Sequence, residues 1–208
     1  MTSSRSSSIV SGDAANPPLQ RTNGSVANRD GRYLDSLVTR RIRVGGFSKP
    51  VLLRQLESAE VQLNEAARLL FADERFTTSQ GSSLIEVVEL SVASLGLPSG
   101  ATFAQIVRQA TGRGLALCPL EVGPHFRLQY TDQPEGFLGR PPSQHCAPPG
   151  SITVASAPLA DDDDTPKGFY LRRIQGVLWL RGYRSGPGHV WSPNDVFAFL
   201  RMPDAGNR

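Results

Sequence analysis

Between Leu117 and Tyr130 the chain reads LCPLEVGPHFRLQY, which gathers a thiol, a carboxylate, an imidazole, a guanidinium and a carboxamide in one short stretch. Cys118 is a candidate nucleophile. A cysteine attacks as its thiolate, so it needs a base such as His125 and a lowered pKa, for which a helix N-terminus is a common device. Cys118-Pro119 is placed to open a short helical turn, and Glu121 completes a candidate catalytic set of Cys118, Glu121 and His125. The structural alternative is a buried, inert thiol, because free cysteine is among the most buried residue types. Glu121, Arg127 and Gln129 also make a polar cluster. In it Arg127 either binds an anionic ligand or forms a structural ion pair with Glu121.

A second chemical surface lies in Gly168–Tyr183, GFYLRRIQGVLWLRGY. Aromatic and β-branched residues dominate both halves, and Gln175-Gly176 supplies a two-residue loop, so the stretch predicts a hairpin. That turn pairs Ile174 with Val177, Arg172 with Trp179 and Tyr170 with Arg181. One face then carries Phe169, Leu171, Leu178 and Leu180. The other carries Tyr170, Arg172, Trp179, Arg181 and Tyr183. An arginine over an aromatic ring contributes about 0.5–2 kcal/mol. This second face is either an Arg/aromatic ladder of purely structural use or a basic stacking surface for a nucleic acid or an anionic ligand. His189, Trp191 and Asp195 follow in GPGHVWSPND, where Trp191 anchors the loop and, with Trp179, is placed to wall a pocket.

Cofactor and metal chemistry find little support. Cys118 and Cys146 are the only cysteines, too few for a disulfide framework or an all-cysteine zinc site. His145 and Cys146, taken with Cys118 and His189, match no common zinc spacing. Asp161–Asp164 lacks the glycine and distal glutamate of an EF-hand loop. No apolar run reaches the 18–20 residues or so that span a bilayer. The expectation is no metal, no cofactor and no transmembrane segment.

The elements that must position these residues follow from periodicity and punctuation. Lys49–Ser58 and Leu63–Ala72 predict helices, with Asn64 as the N-cap of the second. Leu84–Leu95 contains an alternating strand. Thr102 and Gln105 have capping-box spacing, which starts a helix carrying Phe103, Ile106, Val107 and Ala110 inward. Phe126–Tyr130 alternates and predicts a strand, with Gly123-Pro124 ending the helical turn before it. Residues 131–150 form a long Pro- and Gly-rich loop. Ser151–Ala157 and Val196–Arg201 predict the remaining strands. The order argues for an α+β fold: a mostly antiparallel sheet with helices packed on one face, preceded by a disordered N-terminal tail.

The chain has 208 residues, 39% of them hydrophobic, and a formal charge of +3, enough for one sizeable domain and a tail. The expected division is a Ser/Arg-rich leader and linker over 1–48, a single domain over 49–202 and a frayed end over 203–208. Within the leader, Tyr33–Val44, YLDSLVTRRIRV, is either linker or a short basic amphipathic element. Residues 1–32 have almost no large apolar side chains, which predicts disorder. Their composition resembles the flexible Ser-rich leaders of bacterial type III secreted effectors. It also has features of an organelle transit peptide, and it suits a plain disordered tail.

The segments LCPLEVGPHFRLQYTDQPEG and GFYLRRIQGVLWLRGY resemble those of an uncharacterised family of small bacterial α+β domains. The resemblance covers roughly residues 49–201 and implies a fold unit without a mechanism. Some proteins of that kind carry a helicase label, which this chain does not support, since it has no GxxxxGK[ST]. Three function classes follow. The first is a type III effector-like protein whose domain binds a host protein or a ligand, exported into a host cell. The second is a Cys118-dependent hydrolase or transferase. The third is a nucleic-acid-binding module using the hairpin face.

Overall fold

The computed structural model describes residues 21–23, 37–136 and 147–202. The leader over 1–20, the stretch 24–36, His145, Cys146 and the expected fray over 203–208 lie outside the described residues.

The chain folds as α+β around a large, mostly antiparallel sheet, as its pattern predicts. The strands are β1 (Arg21–Asn23), β2 (Val38–Val44), β3 (Gln62–Leu63), β4 (Ser83–Ser91), β5 (Ala101–Thr102), β6 (Leu115–Ala116), β7 (Ile152–Val154), β8 (Gly168–Ile174), β9 (Val177–Tyr183), β10 (Val190–Trp191) and β11 (Val196–Arg201). The helices are α1 (Lys49–Ser58), α2 (Glu65–Ala72), α3 (Phe103–Thr111) and α4 (Val122–Gln129). The main sheet runs β1-β2-β4-β11-β7-β8-β9-β3, with β6 paired to the end of β11. Two pairings are parallel, β11 with β7 and β3 with β9. β5 and β10 make a separate two-stranded ribbon.

Alternation along the strands divides the core into two layers. Val87 of β4 and Ala198 of β11 point to one side, where Leu52 and Leu56 of α1, Leu70 and Phe71 of α2, and Val122 and Phe126 of α4 pack on them. Val88, Phe197 and Phe199 point to the other, where Ile106 and Ala110 of α3 pack with Leu95 and Trp191. Three helices therefore share one face, and α3 covers part of the opposite one.

The hairpin has the predicted register, with Ile174 opposite Val177, Arg172 opposite Trp179 and Tyr170 opposite Arg181. Gln175 and Gly176 sit at φ 52° and 76°, the two left-handed positions of a type I′ turn. The capping box at Thr102 and Gln105 is formed. Asn64 caps α2 by accepting from the Ala67 N–H.

Two local readings are corrected. The stretch read as linker or amphipathic helix contains β2, whose Ile42 and Val44 are buried in the larger core layer and which pairs with β4 over its whole length. Its alternation, Thr39 and Arg41 against Arg40 and Ile42, is hidden by the arginines. Phe126–Tyr130, read as a strand, belongs to α4 and its cap. Val122, Phe126 and Tyr130 recur at i, i+4 and i+8, a helical stripe that shares residues with the alternating pattern. Pro124 lies in the first turn of α4, where a missing N–H costs nothing, so Gly123-Pro124 opens the helix instead of ending it.

Candidate functional site

Each residue of the predicted catalytic set is held by hydrogen bonds of its own, with the His125 Nε2 4.0 Å from the Glu121 carboxylate. Cys118 is 3% exposed, and its Sγ lies 3.6 Å from the Ala198 carbonyl oxygen, to which it donates. Burial pushes the thiol up to about 12, away from the thiolate. His125 uses Nε2 to accept the Gly45 N–H at 3.1 Å, which places its ring proton on Nδ1 in the neutral form. Burial holds this imidazole below its ordinary value, with the nearby Glu121 carboxylate pulling the other way. Glu121 accepts from both the backbone N–H and the hydroxyl of Ser79. Glu121 and His125 thus tie the 45–47 and 77–81 loops to α4.

The expected Glu121–Arg127 ion pair is not formed. Six helical positions put the two side chains on different sides of α4. Arg127 is fully buried and donates through Nη1 to the Gln133 side-chain oxygen. Its Nε and Nη2 have no hydrogen-bond partner among the described residues. Burial draws this guanidinium down to about 10, so it stays charged at neutral pH. Gln129 is also occupied: its carboxamide accepts from the Arg43 N–H at 2.9 Å and donates to the Arg43 and His125 carbonyls at 2.8 Å each. It behaves as one more rung on the outer side of β2.

The hairpin face is a partly buried stack. Arg181 lies 5.9 Å from the Tyr170 ring centroid and 5.3 Å from that of Trp179. Arg172 is buried beside them at 6% exposure. Trp191 does not join Trp179. It packs edge-on against Tyr183 and Phe197, at 5.5 and 4.9 Å. With Tyr170, Tyr183, Thr153 and His189 it lines a small cavity of about 210 Å3.

The largest concentration of buried polar groups lies elsewhere. Helix α4 ends at Tyr130, and beyond it the ends of four strands are left open on the three-helix side of the sheet. The resulting cleft, about 620 Å3, has Val38 and Arg40 of β2, Glu89 of β4, Val196 of β11 and Ile152 of β7 along its floor. Tyr130, Gln133 and Pro134 form one wall; residues 147–151 and Ser192–Asp195 form the others. Five of the twelve buried polar or charged residues described, Arg40, Glu89, Gln133, Ser151 and Asp195, line this one cleft.

Four of these groups are held by an ion pair or hydrogen bonds. Arg40 and Glu89 form a buried ion pair through Nε. The Arg40 guanidinium lies flat enough on Tyr130 to bring its carbon 3.8 Å from the ring centroid, and Phe126 stacks on Tyr130 at 5.5 Å and 10°. Gln133 donates to the Gly150 carbonyl at 2.9 Å and accepts from Arg127. Asp195 accepts the Ser192 N–H at 2.8 Å and the Ala147 N–H at 3.2 Å, one on each oxygen. Burial pushes the Asp195 carboxyl up, against the pull of those two N–H groups. Ser151 Oγ is buried without a hydrogen-bond partner among the described residues.

Of the cleft residues, sequence reasoning names Asp195 in its loop and Tyr130 at the end of a mistaken strand, and misses Arg40, Glu89, Gln133 and Ser151. Arg40 lies in the supposed linker. A charged residue at an inward position of each of two paired strands is the signal that would have found the ion pair. Among the described residues there is no group of three or more His, Cys, Asp or Glu side chains able to hold a metal, and no helix long and apolar enough to cross a membrane. No family model matches the chain, no curated protein matches it in sequence, and no solved structure matches its fold.

Proposed function

We propose that the protein acts by binding, and that its ligand site is the cleft beyond the C-terminal end of α4. The observation that carries this reading is the convergence of Arg40, Glu89, Gln133, Ser151 and Asp195, all buried, on one open cavity of about 620 Å3. Ligand sites are concave, mostly apolar and fitted with a few fixed polar groups, and their volumes fall at roughly 300–1,000 Å3. Burying so many polar groups is costly unless they are paired or have work to do. The hydrolase reading is less favoured, because the Cys118 thiol is buried and hydrogen-bonded to a backbone carbonyl. The nucleic-acid reading needs the exposed rings and arginines of the hairpin face, where Arg172 is buried and Arg181 is half-buried against Tyr170 and Trp179.

In the full chain this binding domain follows a leader whose Ser- and Arg-rich composition resembles that of type III secreted effectors. The proposed role is therefore that of an exported protein that captures a host ligand or a short host-protein segment. Two experiments test the two halves. A fragment library screened by amide chemical shifts on the labelled chain is expected to perturb Ala147, Ser151 and Asp195. Perturbations confined to the Cys118 region or the hairpin face would overturn the site. A reporter fused to residues 1–36 is expected to enter host cells through a type III system, and failure of a well-expressed fusion would overturn the export half.

A further inference from the structure

Among the described residues, three charged side chains line the cleft: Arg40, Glu89 and Asp195. Arg40 and Glu89 neutralise one another. Asp195 is 6% exposed and forms no ion pair with an arginine or lysine among the described residues. Its two oxygens each accept one backbone N–H, from Ala147 and from Ser192. Those bonds fix the carboxylate in one orientation while leaving a lone pair on each oxygen open, since an ionised carboxylate has about four acceptor positions. A buried carboxylate without a counter-charge is a standing electrostatic cost, and a bound cation would remove it. Around it the cleft is mainly apolar, with Val38, Val196 and Ile152 on the floor and Pro148 and Pro149 on the wall. The site is thus complementary to one positive charge carried on a compact apolar body.

We propose that the cleft receives a small organic ammonium ion, its –NH3+ group donating to the two Asp195 oxygens and its hydrocarbon part lying against Val196, Ile152 and Pro148. The ammonium supplies donors, which match an acceptor-only carboxylate. A bare metal ion would leave the apolar floor unused. Arg40 stays bound to Glu89 and Tyr130, so it does not compete for Asp195. This inference rests on the cleft being the binding site, and the test separates the two.

The test uses the full labelled chain and three probes of one shape: benzylamine, benzyl alcohol and benzoate. Benzylamine is expected to shift the Ala147, Ser192 and Asp195 amide signals in a saturable way, at least tenfold tighter than benzyl alcohol, with benzoate weakest. Asp195→Asn is expected to erase the preference of amine over alcohol. Because that variant gives up one of two backbone hydrogen bonds, the three-probe comparison on the unaltered chain decides the matter by itself if the variant does not fold. Alcohol or benzoate binding the cleft as well as the amine would overturn the ammonium inference and leave the cleft reading in place. No probe shifting the cleft signals would overturn both.

Discussion

Cys118 Sγ faces the Ala198 carbonyl oxygen, an acceptor, so a thiolate at that point would meet repulsion where a nucleophile needs donors. With the thiol pushed up to about 12, roughly one molecule in ten thousand is ionised at pH 8. In a Cys146→Ser background, iodoacetamide is expected to alkylate the folded chain at pH 8 at least a hundredfold more slowly than the urea-unfolded chain. Equal rates would restore Cys118 as a reactive centre. His125 gives a pH signature of the opposite kind. Its neutral Nε2 accepts the Gly45 N–H, and protonation would turn that acceptor into a second donor. Because burial lowers its folded pKa, the unfolded chain binds the proton more readily. The His125 contribution is therefore complete above about pH 6.5, the ordinary imidazole value, and declines as the pH falls below it. The stability advantage of the native chain over His125→Gln, read from urea midpoints, is expected to shrink between pH 7.5 and 5.5.

The joints between elements are made by residues with unusual freedom. Asn64 caps α2, and the same side chain exchanges two hydrogen bonds with Gly182 of β9, at 2.8 and 2.9 Å. It extends the ladder that β3 begins on that strand edge. The contact is close enough that a Cβ on Gly182 would meet the Ala66–Ala67 backbone at 2.5–2.8 Å. Gly182→Ala is expected to cost about 1–3 kcal/mol or more by denaturant unfolding. Gly123→Ala is expected to carry a cost of the same order, because its Cβ would meet the Cβ and Cδ2 of Phe169 at 2.8 Å, and Phe169 is fully buried on β8. The hairpin, α1, α2 and α3 were legible in the sequence because turn chemistry, caps and apolar stripes there agree with one another. Helix α4 was not. Its residues 126–130 satisfy period 2 and period 3.6 together, and Pro124 reads as a terminator unless its place in the first turn is known.

The whole molecule shows a second limit of the linear reading. The cleft draws Arg40, Glu89, Gln133, Ser151 and Asp195 from five separate segments, and no local spacing announces them. What unites them is strand order, which puts β2 beside β4, β4 beside β11 and β11 beside β7. Strand β2 precedes the boundary expected at Lys49, yet it lies within the sheet and contributes Ile42 and Val44 to the core. A chain beginning at residue 37 is expected to unfold cooperatively on heating. One beginning at Lys49 is expected to lack a cooperative transition and to expose apolar surface to dye. Two equal transitions would show that β2 is dispensable.

The position of β11 has a temporal consequence. It follows every other described strand in the chain, yet it lies in the middle of the sheet, between β4 and β7, and holds the two halves together. Until Val196–Arg201 leaves the ribosome, β2 with β4 forms one fragment and β7, β8 and β9 another, and neither can close its core. The two halves of the sheet therefore join only once β11 has been made. For that interval the apolar faces of both fragments, Val87 on one side and Phe169 and Leu171 on the other, lack the strand that joins them.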